Sequence, residues 1–148
     1  MKKLSHTDDT GKAVMVDIGS KAVQHRIARA SGEIALGKET IDLVRNNQLK
    51  KGDVIATARL AGISAAKQTA QLIPLCHNIV IEKVAVNLSI TERGITADSE
   101  VACTGKTGVE MEALTAVSVA LLTVYDMCKA ADKNMVLGKI SLTEKIKE

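Results

Sequence analysis

Apolar side chains take the even positions Val84, Val86, Leu88 and Ile90, while Lys83, Asn87, Ser89 and Thr91 take odd ones. That is the period of two expected of a half-buried strand. Glu92-Arg93-Gly94 reads as a turn, and beyond it Ile95, Ala97, Val101 and Cys103 share one parity against Thr96, Asp98, Glu100 and Thr104. The two runs predict an antiparallel hairpin with one buried face. On either side the period changes to that of a helix. Ala56, Leu60, Ile63, Ala66 and Ala70 recur at helical spacing behind Asp53, a good N-cap, and predict a helix to about Leu72, stopped by Pro74. After Thr107-Gly108, the residues Ala113, Val117, Ala120, Leu121, Val124 and Cys128 fall on one helical stripe. Glu110 and Glu112 in its first turn, and Lys129 and Lys133 near its end, complement the helix dipole. A shorter helix is predicted over Glu39 to Asn46. Val136, Ile140, Leu142 and Ile146 suit a last strand, and Ala22 to Glu33 a first strand with poor alternation. The order β, short α, α, β, β, α, β is a split βαβ pattern. It predicts a ferredoxin-like α+β sandwich, an antiparallel sheet with packed helices.

The 148 residues suffice for one domain, expected over residues 14–148 behind a flexible polar tail at 1–13. With 46% apolar and 25% charged residues the chain can form a real core. Its net charge of +3, spread over both halves, is too mild to argue for DNA. Tyr125 is the one aromatic among Phe, Trp and Tyr, so the stacking platforms of single-stranded nucleic-acid modules are missing. Cys76, Cys103 and Cys128 are widely spaced with no C-x-x-C, which spells out neither a zinc site nor an iron–sulfur cluster. No apolar run follows the N-terminal lysines, and Ala113 to Tyr125 is too short and too rich in Thr and Ser to cross a bilayer. A soluble, cytoplasmic protein is expected, with neither a nucleic-acid nor a membrane partner. Small alanine faces and the lack of large aromatics bury little area per residue, so subunit contacts are expected to supplement the core.

Thr104-Gly105-Lys106-Thr107-Gly108 precedes a helix, as a phosphate loop would. Glu100 stands where that motif needs its first glycine, and Glu110 and Glu112 already face the positive helix end. A glycine-flanked helix start is the better reading. His77 follows Pro74-Leu75-Cys76 in an irregular segment, where it is either structural or turned to a cleft. Lys50-Lys51-Gly52-Asp53 puts two ammonium groups beside a helix start, where they are either solvated or able to clamp phosphate oxygens. Asp126 and Lys129 form an i, i+3 pair that would exchange protons if partly buried. Glu112 shares their helix face but lies about 21 Å away along the axis. Either a long ligand lies along the helix or a neighbouring subunit completes the site, and both fit a nucleotide-sized anion.

The run Gly105-Lys106-Thr107-Gly108-Val109-Glu110-Met111-Glu112-Ala113-Leu114-Thr115-Ala116-Val117, continuing to Tyr125-Asp126-Met127-Cys128-Lys129-Ala130, resembles the signature of the MoaC family, the cyclic pyranopterin monophosphate synthases of molybdenum cofactor biosynthesis. Met15-Val16-Asp17, Ala56 to Ile63 with Ala65-Ala66-Lys67, and Leu72 to His77 agree in order, so the resemblance spans about residues 14 to 137. It implies a ferredoxin-like fold and a hexamer built as a trimer of dimers, with sites near the dimer interface. It implies a lyase that converts a 3′,8-cyclised dihydro-GTP to cyclic pyranopterin monophosphate and diphosphate. No cofactor of its own is implied, although Mg²⁺ could accompany the triphosphate. Matched position by position, Asp126 and Lys129 correspond to the family's acid–base pair and Lys51 to a loop lysine needed for activity. Leu75, Cys76 and His77 match one substrate-binding segment, and Met111 and Glu112 another. Two departures stand out: Asn78 where proline is common, and Ser141 to Glu148 where a Gly, Ser and Lys-rich tail is common. The alternative from another class is a noncatalytic oligomeric module that binds a nucleoside triphosphate and leaves Asp126 idle.

Overall fold

The computed structural model describes residues 6–148. Four strands, β1 (Gln24–Ala35), β2 (Ile81–Ile90), β3 (Gly94–Gly105) and β4 (Val136–Lys147), form one sheet in the order β2-β3-β1-β4, with every neighbouring pair antiparallel. The helices are α1 (Lys38–Arg45), α2 (Val54–Lys67), the short α3 (Thr69–Leu72) and α4 (Glu110–Cys128). Leaving aside the short α1 and α3, this is the βαββαβ order of a ferredoxin-like sandwich, with α2 and α4 packed on each other and on one face of the sheet.

The hairpin forms where the alternation placed it. Val86, Leu88, Ile95, Ala97, Val101 and Cys103 are buried against the helices, and Ser99, on the same parity, donates its hydroxyl to the carbonyl of Ala113 at 2.8 Å. That bond satisfies a buried polar group and ties β3 to α4. Strand β1 is displaced two residues toward the C-terminus from its expected bounds. Its inward face is Ala28, Ala30, Gly32 and Ile34, side chains too small to give a clear hydrophobic alternation. Small size is what the packing needs: a Cβ on Gly32 would stand 2.9 Å from Ile140, Leu121 and Val117.

Two expectations need correction. The helix after Asp53 does not run unbroken to Leu72. Asp53 does cap it, accepting from the Ala56 amide at 2.9 Å, but the helix stops at Gln68 and resumes as α3. Thr69 bonds back to the Ala65 carbonyl and Gln68 to the Ser64 hydroxyl at the break, the side-chain competition with the backbone that interrupts helices. The even positions of β4 also do not share one face. Leu142 pairs with Ala30 but Ile146 pairs with Ile27, of opposite parity on β1, because an extra residue bulges between Leu142 and Glu144.

The sheet face turned away from the helices is polar. Arg29 reaches Glu100 at 2.6 Å and also Glu144, and Lys83 reaches Glu100 at 2.6 Å, so ion pairs cross all four strands. Helix α4 is long and apolar enough to span a bilayer by composition alone. Here it is the core helix, with Ala113, Ala116, Val117, Ala120, Leu121 and Val124 fully buried. Of the expected N-terminal tail, residues 1–5 lie outside the described residues. Residues 6–14 form a small loop closed by a Thr7–Ala13 bridge and by the Val14 amide donating to the His6 carbonyl at 3.0 Å.

Candidate functional site

The expected site residues fall into two groups, one at each end of α4. At the C-terminal end, the loop between α1 and α2 delivers Lys51 to Asp126. Asn47 (φ 52°) and Gly52 (φ 96°) both adopt left-handed backbone, and the Gly52 amide closes a turn on the Leu49 carbonyl at 3.0 Å. Glycine takes that conformation without a Cβ penalty. It lets the chain reverse directly from Lys51 into the capped start of α2. The Asp126 carboxylate lies between two ammonium groups, Lys51 Nζ at 2.7 Å from Oδ2 and Lys129 Nζ at 2.8 Å from Oδ1. Lys51 also donates to the Asp126 carbonyl at 3.2 Å.

The hydrogen bonds from Lys129 and then Lys51 hold the Asp126 carboxyl down to about 2, and the Asp126 bond raises Lys129 above its ordinary value. All three side chains are about half exposed, so the cluster adds little to stability. It leaves one ionised carboxylate and two cations facing outward, a net positive spot suited to anionic oxygens. Beside it, Leu43, Leu49, Lys50, Lys51, Met127, Ala130 and neighbours line an open, mainly apolar cavity of about 440 Å³.

The second group surrounds a cavity of about 160 Å³ at the other end of the helix. Leu75, Cys76 and His77 from the segment after α3, and Met111 and Glu112 from the first turn of α4, line it together with His6, Ile79, Thr107, Gly108 and Glu110. Glu112 is only 3% exposed, and burial first, then the neighbouring Glu110, push its carboxyl above the ordinary range. Burial acts most strongly on Glu110 too, but its ion pair with Lys145, a backbone hydrogen bond and the nearby Arg26 together hold it low. The Cys76 thiol is pushed up by burial and by Glu112, so it stays protonated at neutral pH and is no activated nucleophile. His77 Nε2 lies 2.6 Å from the Val16 carbonyl. A carbonyl only accepts, so this nitrogen carries the proton.

Thus the structure joins Lys51 with Asp126 and Lys129, and it joins Leu75, Cys76 and His77 with Met111 and Glu112. It does not join the two groups within one chain. Glu112 and Asp126 are on one continuous helix, fourteen residues apart, which is about 21 Å of rise. Lys106 of the GKTG run donates to the Gly19 carbonyl at 2.6 Å and so pins the N-terminal arm. Among the described residues, no three His, Cys, Asp or Glu side chains converge as a metal site. Sequence reasoning missed His6, which lies in a polar arm with no periodic signal, and the Lys51–Asp126 contact, which spans 75 positions.

The chain is thus an α+β domain of ferredoxin-like topology with a lysine-flanked carboxylate at one end of its core helix and an acidic cavity at the other. Comparison with known proteins narrows it. The MoaC family model matches residues 15–147. A cyclic pyranopterin monophosphate synthase of Novosphingobium aromaticivorans is 52% identical over 145 residues, covering 98% of this chain and 92% of the relative. One from Desulfitobacterium hafniense is 52% identical over 144 residues, covering 97% and 88%. The chain belongs to the MoaC family.

Proposed function

We propose that this chain is a cyclic pyranopterin monophosphate synthase, a lyase of molybdenum cofactor biosynthesis. In this reading it converts 3′,8-cyclo-7,8-dihydroguanosine 5′-triphosphate to cyclic pyranopterin monophosphate with release of diphosphate. Near-complete similarity to relatives bearing that name supports the activity. The observation that carries the site is the Asp126 carboxylate held between Lys51 and Lys129.

The two ends of α4 suit the two ends of such a substrate. Carboxylates only accept hydrogen bonds, so Glu112 and Glu110 favour the N–H edge of a guanine-derived ring and repel phosphates. The lysines favour phosphate oxygens and stabilise charge as diphosphate leaves. Opening the imidazole ring and rebuilding it as a pterin requires several proton transfers. In the free protein Asp126 is neutralised by its lysines and is a weak base. An incoming polyanion competes for those lysines, which loosens Asp126, lets its pKa rise toward the ordinary value and makes it a usable proton acceptor. Lys129, held protonated, is the matching donor. No cofactor of the protein's own is needed in this scheme, and any Mg²⁺ would be carried by the triphosphate, since among the described residues no His, Cys, Asp or Glu cluster would hold a metal.

Because the ends are about 21 Å apart in one chain, the working site combines the lysine cluster of one copy with the acidic cavity of another. We assign the assembly as a homo-oligomer, a hexamer built as a trimer of dimers with the site at the dimer interface. Exposed Leu60, Leu72 and Leu122 on the helices are consistent with buried subunit contacts. The protein acts on a small molecule in the cytoplasm. Incubation of the purified chain with the cyclised GTP derivative, followed by mass analysis, tests the assignment. Pterin and diphosphate are expected in equal amounts; binding without either product would favour the noncatalytic nucleotide module.

A further inference from the structure

The N-terminal arm carries a second histidine into the acidic cavity. His6 lines it together with His77, 71 positions later, and with Cys76, Glu110 and Glu112. Several contacts hold the arm there. The Asp8 carboxylate accepts from the amides of Thr10 and Lys12 at 2.8 and 3.0 Å and from the Thr10 hydroxyl at 2.7 Å, and so closes the tip of the loop. The Val14 amide holds the His6 carbonyl, His77 holds the Val16 carbonyl, and Lys106 holds the Gly19 carbonyl. His6 is therefore placed by a chain of bonds running from the cavity wall back along the arm.

The two imidazoles are not equivalent. The Nε2–H of His77 is committed to Val16, leaving only its Nδ1 for a ligand, as an acceptor when the ring is neutral. The carboxylates of Glu110 and Glu112 are acceptors as well when ionised. The His6 ring makes no hydrogen bond to any described residue. It faces a cavity in which the carboxylates and His77 Nδ1 serve an N–H edge, and the protonated Cys76 thiol is only a weak donor. In a guanine-derived ring that edge adjoins a carbonyl oxygen, which needs a donor.

We propose that His6 is a substrate-contacting residue that donates a hydrogen bond to the ring carbonyl. This rests on the acidic cavity being the ring end of the site. His6→Ala, His6→Gln and Glu112→Gln proteins, each with its melting curve, are compared with wild type in steady-state turnover of the cyclised GTP substrate. One lost hydrogen bond to a neutral acceptor is expected to raise KM about three- to tenfold in His6→Ala, with kcat changed less. His6→Gln, which keeps an N–H donor, is expected to recover part of that loss. In wild-type protein labelled with ¹³C-histidine, the His6 ring resonance is expected to shift on addition of GTP, a readout that does not depend on any variant folding. Wild-type KM in His6→Ala alongside a raised KM in Glu112→Gln would overturn the His6 assignment and leave the cavity reading standing. Wild-type KM in both would overturn both. A His6 resonance unmoved by saturating GTP also overturns the contact.

Discussion

Gly62 lets α2 lie close against α4, and replacing it with alanine tests whether that approach sets the geometry of the site. A Cβ at this position would meet the Ala116 carbonyl oxygen at 2.9 Å, Val86 Cγ1 at 3.1 Å and Ala120 Cβ at 3.3 Å. The Ala116 carbonyl belongs to the helix backbone and cannot rotate away, so the helices must part by a few tenths of an ångström. Alanine in place of glycine in a helix is worth about 1 kcal/mol in the opposite sense, whereas overpacking of a core typically costs about 1–3 kcal/mol. The net expectation is a loss of up to about 2 kcal/mol, or several degrees of Tm for a domain near 150 residues. Gly62→Val, with two further methyl groups in the same gap, is expected to lose more. Because Lys51 enters α2 and Asp126 leaves α4, a wider crossing also lengthens their 2.7 Å contact, so kcat should fall with Tm. The assay is thermal unfolding by circular dichroism beside turnover of the same preparations. A Gly62→Ala protein that melts above wild type would show that helix propensity outweighs the crossing, and would refute the close-packing argument.

Replacing Asp132 by alanine strips the Gly37 amide, at the start of α1, of a 2.7 Å acceptor and the Asn134 amide of a 3.0 Å one; the expected cost is about 1–3 kcal/mol in denaturant unfolding at neutral pH. The Gly37 and Asn134 amides hold the Asp132 carboxyl below its ordinary value of 3.8, so its contribution is complete above that pH and fades as pH falls below it, and a wild-type minus Asp132→Ala difference that grew in acid would contradict this. Glu112 has the reverse sign: burial raises its carboxyl above the ordinary 4.5, the folded state binds that proton more tightly, and stability is lost as pH rises from 4.5 through the raised value. Glu112→Gln is therefore expected to melt above wild type at pH 7 to 8 and level with it well below pH 4.5; equal Tm values across the whole range would reject the buried-charge account. Asp126→Asn keeps the shape but removes the proton acceptor, and is expected to retain GTP binding while turnover drops by about 10²- to 10⁴-fold. Full activity in that folded variant would remove Asp126 from the chemistry.

Much of the fold was legible because the β2–β3 hairpin alternates strictly and the buried residues of α4 recur at helical spacing. In the hairpin Val86, Leu88, Ile95, Ala97 and Val101 point inward against mostly polar outward neighbours, and on α4 Ala113, Val117, Ala120, Leu121 and Val124 share one stripe, so pattern and packing coincide. Legibility failed where packing demanded small residues or broken registers. Ala28, Ala30 and Gly32 lie under α4, where size is limiting, and they carry almost no hydrophobic signal. The bulge after Leu142 reverses the parity of β4, and one extra residue cannot be seen in a pattern of alternating apolar positions. Of the site, the spacing of Glu112, Asp126 and Lys129 along one helix could be worked out in advance. The pairing of Lys51 with Asp126 could not, because it depends on how the α1–α2 loop folds over the far end of α4. His6 was invisible for a similar reason: its place in the cavity is set by backbone amides of the arm donating to Asp8 and by His77 and Lys106 donating to backbone carbonyls of the arm.

In the proposed enzyme each site is built from opposite ends of α4 in two copies of the chain. Lys51→Ala disables the lysine cluster and Glu112→Gln the acidic cavity, so each homo-oligomer has every site damaged. The two variants are unfolded together, refolded as a mixture and assayed against each variant refolded alone. In a mixed dimer one site receives both lesions and the other neither, so random pairing restores about a quarter of wild-type activity. Activity in the mixture no greater than the average of the two separate variants, with subunit exchange verified by mass, would contradict a shared site.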